Sequence, residues 1–242
     1  MKLLALDSSG LVASVAVVWD EILSGEFTID HKITHSQTLL PMLEELAKRI
    51  ELDLETLDAI AVAGGPGSFT GLRIGSATAK GLALALEKPL IQIPTVDALA
   101  YNLWGHRDII CPLMDARRNQ TYTGLYRFCS GRMETLKEQC AVDIGAIVDE
   151  INKRREAVVF LGDGVPVFQH YIEEHLLGPC TFAPPHLSRQ RAGAVAALAV
   201  EYYKEGKMMD SASFKPEYLR LSQAERERME KEHAKDQENA GG

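Results

Sequence analysis

LLALDSSGLVASVAVVWDEILSGEFTI, residues 3–29, reads as three short strands joined by two tight turns. Leu3 to Leu6 is apolar, DSSG makes a turn, and Leu11 to Trp19 is rich in Val and Ala; Asp20 and Glu21 turn again into Ile22 to Ile29. Links this short suit antiparallel neighbours, because parallel strands need a longer crossover. From Ser36, a suitable N-cap, the period changes: Leu39, Leu40, Leu43, Ala47 and Ile50 recur at helical spacing. The run Ala59 to Ala63 is short enough for a buried strand and ends in GGPGSFTG, residues 64–71. A small-residue helix from Gly71 to Glu87, a strand from Leu90 to Ile93 and a helix from Thr95 complete a β-β-β-α-β-α-β-α order.

The second half repeats the plan. Ile109 to Met114 is a strand, DARRNQ a turn, and Thr121 to Phe128 and Met133 to Ala141 are further strands. Asp143 to Arg154 suits a helix and Ala157 to Leu161 a strand, after which GDGVP leads into a helix ending at Leu176. An Asp opens the first hairpin turn of each half, Asp7 and Asp115, and a glycine turn joins strand to helix at Gly64 and at Gly162. These are two copies of one α/β unit, the duplicated β-β-β-α-β-α plan of a two-lobed actin-like ATPase (ribonuclease H-like) fold. The expected lobes are residues 1–105 and 106–221. A last helix, about Ala192 to Lys204, can pack on either lobe, and the polar segment 222–242 is expected to be a disordered tail.

The 242 residues are 46% hydrophobic and 25% charged, with a net charge of −8, the balance of a globular protein with its own core. An acidic chain lacks the basic field that grips a nucleic-acid backbone unaided. Cys111, Cys129, Cys140 and Cys180 form no CxxC pair, which fits reduced thiols. The apolar run at the start breaks at Asp7, too short for a signal-peptide core, and no stretch reaches the roughly 20 apolar residues of a membrane span. A cytoplasmic location, with no membrane contact, is the expectation.

In a two-lobed ATPase plan the hairpin turns face a phosphate-binding cleft, so Asp7, Ser8, Ser9, Gly65 and Gly67 are candidates for a vestigial phosphate loop. The same residues also make ordinary tight turns. GGPGSFTG is neither GxGxxG nor a Walker A loop, since Leu72 and Arg73 follow Gly71, and no GxSxG surrounds Ser68 or Ser76. His31 and His35 are four apart, but Ile33 and Thr34 between them argue against a helix, so no metal site is expected there.

The glycine-following helix carries Gly71, Gly75, Ala79 and Ala83 at four-residue intervals, a smooth stripe, with Leu72, Leu82, Leu84 and Leu86 making it apolar nearly all round. Interior glycine costs about 0.5–1 kcal/mol relative to Ala, so Gly75 and Gly81 call for a close neighbour. A helix apolar on every side must be covered on both. The expected subunit interface is therefore Leu39, Leu43 and Ile50 of the earlier helix with Gly71, Leu72, Gly75, Ala79, Leu82 and Ala83. A Leu at Gly75 should then block association while leaving the fold intact.

The block GGPGSFTGLRIGSATAKGLA, residues 64–83, resembles the TsaB (YeaZ) family of bacterial tRNA-modification proteins. LLALDSSGLVASVAVV, HSQTLLPMLEELA (35–47), MDARRNQTYTGLY (114–126) and PEYLR (216–220) are similar to its recurring blocks, in order to about residue 225. The resemblance implies an actin-like fold that has lost its catalytic equipment. The related catalytic subunit, TsaD, carries a metal-binding His-x-x-x-His pair on the helix that here reads TVDALAYN, Thr95 to Asn102, which has no histidine and so cannot supply those two ligands. It further implies a scaffold that pairs with TsaD, and with the ATPase TsaE, during threonylcarbamoyl transfer to the adenosine beside the anticodon of ANN-reading tRNAs. ATP and Mg²⁺ would be handled by those partners, tRNA would be held mainly through the complex, and docking would use the helix pair of residues 36–50 and 71–87. An isolated chain would form a homodimer through the same helices. The alternative is an enzyme, either a nucleotide hydrolase built on Asp7 or a protease of glycoprotease type.

Overall fold

The computed structural model describes residues 1–31 and 35–220; the segment 222–242, expected to be a tail, and most of the His31–His35 stretch lie outside the described residues. The chain runs β1 (Lys2–Asp7), β2 (Ala13–Trp19), β3 (Ile22–Ile29), α1 (His35–Arg49), β4 (Ala59–Ala63), α2 (Phe69–Leu86), β5 (Leu90–Ile93) and α3 (Thr95–Tyr101). It then repeats the order with β6 (Ile109–Asp115), β7 (Gln120–Cys129), β8 (Arg132–Asp143), α4 (Ile144–Arg154), β9 (Val158–Leu161), α5 (Val165–His175), β10 (Cys180–Phe182) and α6 (Ala192–Lys204). The sheets are ordered β3-β2-β1-β4-β5 and β8-β7-β6-β9-β10, so strand order repeats as well as element order. In each sheet the first three strands are antiparallel and the last two parallel to the first. This is the duplicated two-lobed arrangement of the actin-like fold. The three-residue β10 is too short to show a period of its own, and the sequence pattern misses it.

Both sheets are covered on both faces, which is why β1 and β4 read as unbroken apolar runs. In β1, Leu4 and Leu6 point into the core beneath α1 and α2, and Leu3 and Ala5 into the core beneath α6. In β6, Ile109, Cys111 and Leu113 meet α4 and α5, and Ile110 and Met114 meet α3. The covering helices are therefore exchanged. Val96, Leu99 and Ala100 of α3, ahead of the second copy in sequence, close the second sheet, whereas Val195, Ala196 and Ala199 of α6 close the first. Tyr101 Oη donates to Glu201 Oε1 at 2.6 Å, tying the exchanged helices together.

The segment after α6 returns to the first lobe. Met209 bridges antiparallel to Leu90, Phe214 is buried in the core beneath α1 and α2, and the Glu217 N–H donates to Gly64 O at 2.7 Å. Arg220 closes the path, its guanidinium donating to the carbonyl of Ala116 across the lobes.

Candidate functional site

The lobes enclose a cleft of about 720 Å³ lined by the first hairpin turn (Ser9, Gly10, Leu11), the start of α2 (Gly67, Ser68, Thr70, Gly71, Ile74), the second hairpin (Asp115, Ala116, Arg117, Tyr122) and Asp163 and Val167. The phosphate-loop candidates divide there. Asp7 and Ser8 are buried and are not among the lining residues. The Asp7 carboxylate accepts both the Ser9 N–H (2.9 Å) and the Ser9 hydroxyl (2.6 Å), and Ser8 Oγ donates to Gly71 O at 2.9 Å.

The glycines are filled from inside the chain. A Cβ at Gly67 would overlap Ser9 O, one at Gly71 would overlap Ser8 O, and one at Gly65, held at φ +113°, would overlap Glu217 O. Gly65 N–H donates to Thr95 Oγ1 and its carbonyl accepts from Thr95 N and Gln139 Nε2. These glycines let backbone pack on backbone; the space a Cβ would take is not left open as an anion cradle. Of the five candidates only Ser9 and Gly67 line the cleft, while Asp7, Ser8 and Gly65 lie behind it.

The helix-pair interface needs a larger correction. Leu39, Leu43, Leu72, Ala79 and Ala83 are in the core, Gly71 and Gly75 are buried, and Ile50 and Leu82 pack half-buried on the same core. The stripe that sequence periodicity turned outward is the one α2 turns inward, because Ser8 presses against it: a Cβ on Gly75 would lie 2.5 Å from Ser8 Oγ. A Leu at Gly75 thus attacks the fold itself.

The opposite stripe of α2, Thr70, Arg73, Ala77, Gly81, Leu84 and Ala85, is exposed, with Leu84 at 73%. On α1 the outward residues are Gln37, Leu40, Pro41, Glu44 and Lys48, with Leu40 at 51%. Gly81 differs from Gly75: no atom lies within 4 Å of where its Cβ would be. Its helix cost of about 1 kcal/mol relative to Ala is offset by nothing else in the described chain.

Sequence reasoning passed over two residues near the cleft floor. Gln190 is 1% exposed, and its side-chain amide lies against the Asp163 carboxyl. Gln190 packs against Gly10, where a Cβ would come within 2.8 Å of Nε2. Burial raises the Asp163 carboxyl pKa, opposed first by its own backbone N–H and then by the Arg189 guanidinium and the Gln190 amide. Asp163 sits in the GDGVP turn that the sequence marks; Gln190 has no local pattern to reveal it.

On α3, at the start of TVDALAYN, Asp97 is buried and accepts from Tyr126 Oη at 2.6 Å. Burial raises its pKa to about 6; the Tyr126 hydrogen bond opposes the rise, and the negative charges of Glu138 and Glu217 add to it. Groups of three or more His, Cys, Asp or Glu with metal-binding geometry are absent among the described residues. No described helix is long and apolar enough to cross a membrane.

Comparison with known proteins matches residues 30–228 to the family described as TsaD, tRNA N6-adenosine threonylcarbamoyltransferase. The tRNA threonylcarbamoyladenosine biosynthesis protein TsaB of Bacillus subtilis is 32% identical over 228 residues, covering 93% of this chain and 96% of that protein. A tRNA N6-adenosine threonylcarbamoyltransferase of Protochlamydia amoebophila is 46% identical, but over only 67 residues and 20% of its own length. Among solved structures, YeaZ from Pseudomonas aeruginosa superposes with a TM-score of 0.75 at 26% identity, covering 90% of this chain and 99% of that one. The Bacillus subtilis TsaB and the Pseudomonas aeruginosa YeaZ are thus matched along nearly their whole length, although the family model carries the transferase's name.

Proposed function

The chain belongs to the TsaB family of tRNA threonylcarbamoyladenosine biosynthesis proteins, and from that premise we propose that it serves as a non-catalytic subunit docking onto a TsaD-type transferase. Its contribution is a surface, the outward faces of α1 and α2 with Leu40, Ala77, Gly81 and Leu84 at their centre. The observation that carries this is Gly81, a helix-interior glycine with nothing of its own chain near it, beside the most exposed leucine of the helix pair. A glycine kept against its helix cost fits close approach by a second helix from another chain. The buried residues Leu39, Leu43, Leu72 and Ala79 support that surface from behind.

Several features favour a scaffold over a hydrolase or protease. The Asp7 carboxylate is occupied by Ser9, the loop glycines are filled by the chain's own carbonyls, and TVDALAYN offers no histidine pair. ATP and Mg²⁺ then belong to the partner subunits, TsaD and TsaE, and tRNA is held mainly through the assembled complex in the cytoplasm. Without a partner, the same apolar face would pair two copies as a homodimer.

The test is Gly81→Leu. Its side chain projects into open space, so the isolated variant should melt within about 1 kcal/mol of the native chain. Co-purification with a co-expressed TsaD-type partner should be lost. Retained binding by a folded Gly81→Leu chain would overturn the docking face. Measurable Mg²⁺-dependent ATP turnover by the chain alone, abolished by Asp7→Ala, would overturn the scaffold reading.

A further inference from the structure

The turn between β6 and β7 holds Arg117, Arg118 and Asn119 at φ of 65°, 55° and 60°, three successive left-handed non-glycine residues. Left-handed backbone is disfavoured for any residue with a Cβ, and least for Asn. The β2–β3 turn also holds two non-glycine residues left-handed, Asp20 and Glu21, but there the displayed side chains are acidic. The β6–β7 turn displays two Arg instead and holds them with surrounding contacts. Asp115 Oδ1 accepts the Arg117 N–H at 2.8 Å, Asn119 Nδ2 donates to Asp143 Oδ2 at 3.0 Å, and Arg220 donates to the carbonyls of Ala116 and Arg117. The side chains so displayed are little used within the chain. Arg117 is 82% exposed, with one ion pair of 3.3 Å to Asp115, and Arg118 has no ion pair among the described residues.

Arg220 connects this turn to a second feature beside the start of α2. Two residues earlier, Tyr218 is 40% exposed and packs on Phe69, ring centroids 4.9 Å apart, and the Arg73 guanidinium lies 3.9 Å over the Phe69 ring. The neighbouring Glu217 carboxylate is turned away onto Gln139 Nε2, at 2.7 Å. Ser68 and Thr70, flanking Phe69 at the start of α2, line the same cleft as Arg117, and the helix dipole there favours negative charge. Cations interleaved with a half-exposed aromatic ring suit single-stranded or looped RNA, in which phosphates meet guanidinium groups and an unstacked base lies on an aromatic face.

We propose that this rim, Arg117 and Arg118 with Arg73 and Tyr218, contacts the sugar-phosphate backbone and one unstacked base of the RNA handled by the assembled complex. The inference rests on the scaffold reading and deepens it: an acidic chain held on the RNA mainly by its partner adds a local basic edge of its own.

The decisive variant is Arg117→Gly combined with Arg118→Gly, which removes both cations and gives the left-handed turn the residue it accepts most readily. Size-exclusion chromatography first establishes whether each chain forms the heterodimer; fluorescence anisotropy with labelled unmodified tRNA then follows binding across a salt series. The variant should form the heterodimer and keep or raise its melting temperature. It should bind tRNA at least tenfold more weakly, and the slope of log affinity against log salt should fall by roughly 1 to 2. Tyr218→Ala should weaken binding about tenfold with the slope unchanged. Arg117→Lys with Arg118→Lys should restore most of the salt dependence. Unchanged affinity and slope in an intact heterodimer would overturn the proposal, as would loss of the heterodimer, which would make the turn a protein contact. If the native chain forms no heterodimer, the docking reading fails separately, and the same titration on the chain alone at low salt decides whether the rim binds RNA.

Discussion

The two lobes share element order, strand order and even the device that starts their first hairpin, yet one hairpin is buried and the other exposed. In both, an Asp at the end of the first strand accepts the N–H two residues on: Asp7 from Ser9 at 2.9 Å, Asp115 from Arg117 at 2.8 Å. The difference lies in where the glycine turn before the next helix meets that strand. In the first lobe Gly67 of the turn and Gly71 in the first turn of α2 press on the carbonyls of Ser9 and Ser8, beyond the Asp; in the second, Gly162 and Gly164 press on Leu113, before it. The shift, about one turn's worth of chain, encloses the first hairpin beneath α2 and leaves the second free at the rim. Duplicate topology therefore does not imply duplicate sites: the first lobe's turn became packing, and the second lobe's became surface.

The comparison breaks most easily at the glycines. Gly71→Ala puts a methyl into Ser8 O, and Gly162→Ala puts one into Leu113 O at a φ of +109°. Neither obstacle is a flexible side-chain end that can swing aside. Each substitution should cost about 3 kcal/mol or more, read as a shift in the urea midpoint. Gly71→Ala should also open the first hairpin, seen as faster amide exchange at Ser8 and Ser9, whereas Gly162→Ala should leave those amides protected. Equal exchange in both variants would mean that the lobes share one packing unit.

These contacts mark the limit of what the sequence discloses. The β-β-β-α-β-α order was legible because apolar runs and turn residues alternate cleanly, and the repeat emerged from Asp7 against Asp115 and Gly64 against Gly162. The exchange of α3 and α6 was not, because AVAALAV and TVDALAY are apolar enough to lie on either sheet, and only three-dimensional proximity decides. That α1 and α2 pair as helices was legible, but which face of α2 points inward was not. Periodicity states which residues of α2 share a side, and when Gly71-Gly75-Ala79-Ala83 and Ala77-Gly81-Leu84 are both small and apolar it cannot state which side meets the sheet. Ser8, 63 residues before Gly71, settles that.

A second, smaller effect separates the exchanged helices. Asp97 of α3 is buried against the second sheet with a pKa raised to about 6 from an ordinary 3.8. A folded-state pKa above the unfolded value means that the folded chain holds its proton longer. The associated stability is thus complete below about pH 4 and is lost as pH rises through 6. Asp97→Asn keeps an acceptor for the Tyr126 hydroxyl and removes the charge. It should raise stability by up to about 3 kcal/mol at pH 8 and little at pH 4, flattening the melting temperature between those values. A parallel change across all pH would assign the gain to packing and leave the carboxyl without a role.

The smallest effect lies within one helix and sharpens the contrast between inner and outer stripes. Gly75 and Gly81 are six residues apart on α2 and carry the same intrinsic helix penalty. At Gly75 that penalty secures the contact with Ser8 Oγ, so Gly75→Ala exchanges a gain in propensity for a steric conflict and should destabilise. At Gly81 no such conflict exists, because nothing stands within 4 Å of the new methyl. Gly81→Ala should therefore raise the stability of the isolated chain by about 0.5–1 kcal/mol, a shift of a few degrees in melting temperature. If α2 docks as proposed, that gain is accompanied by weaker association, since the methyl occupies space reserved for the partner's backbone. A Gly81→Ala chain that is both more stable and equally tightly bound would leave this glycine without a physical reason, and with it the strongest argument for the outer face of α2.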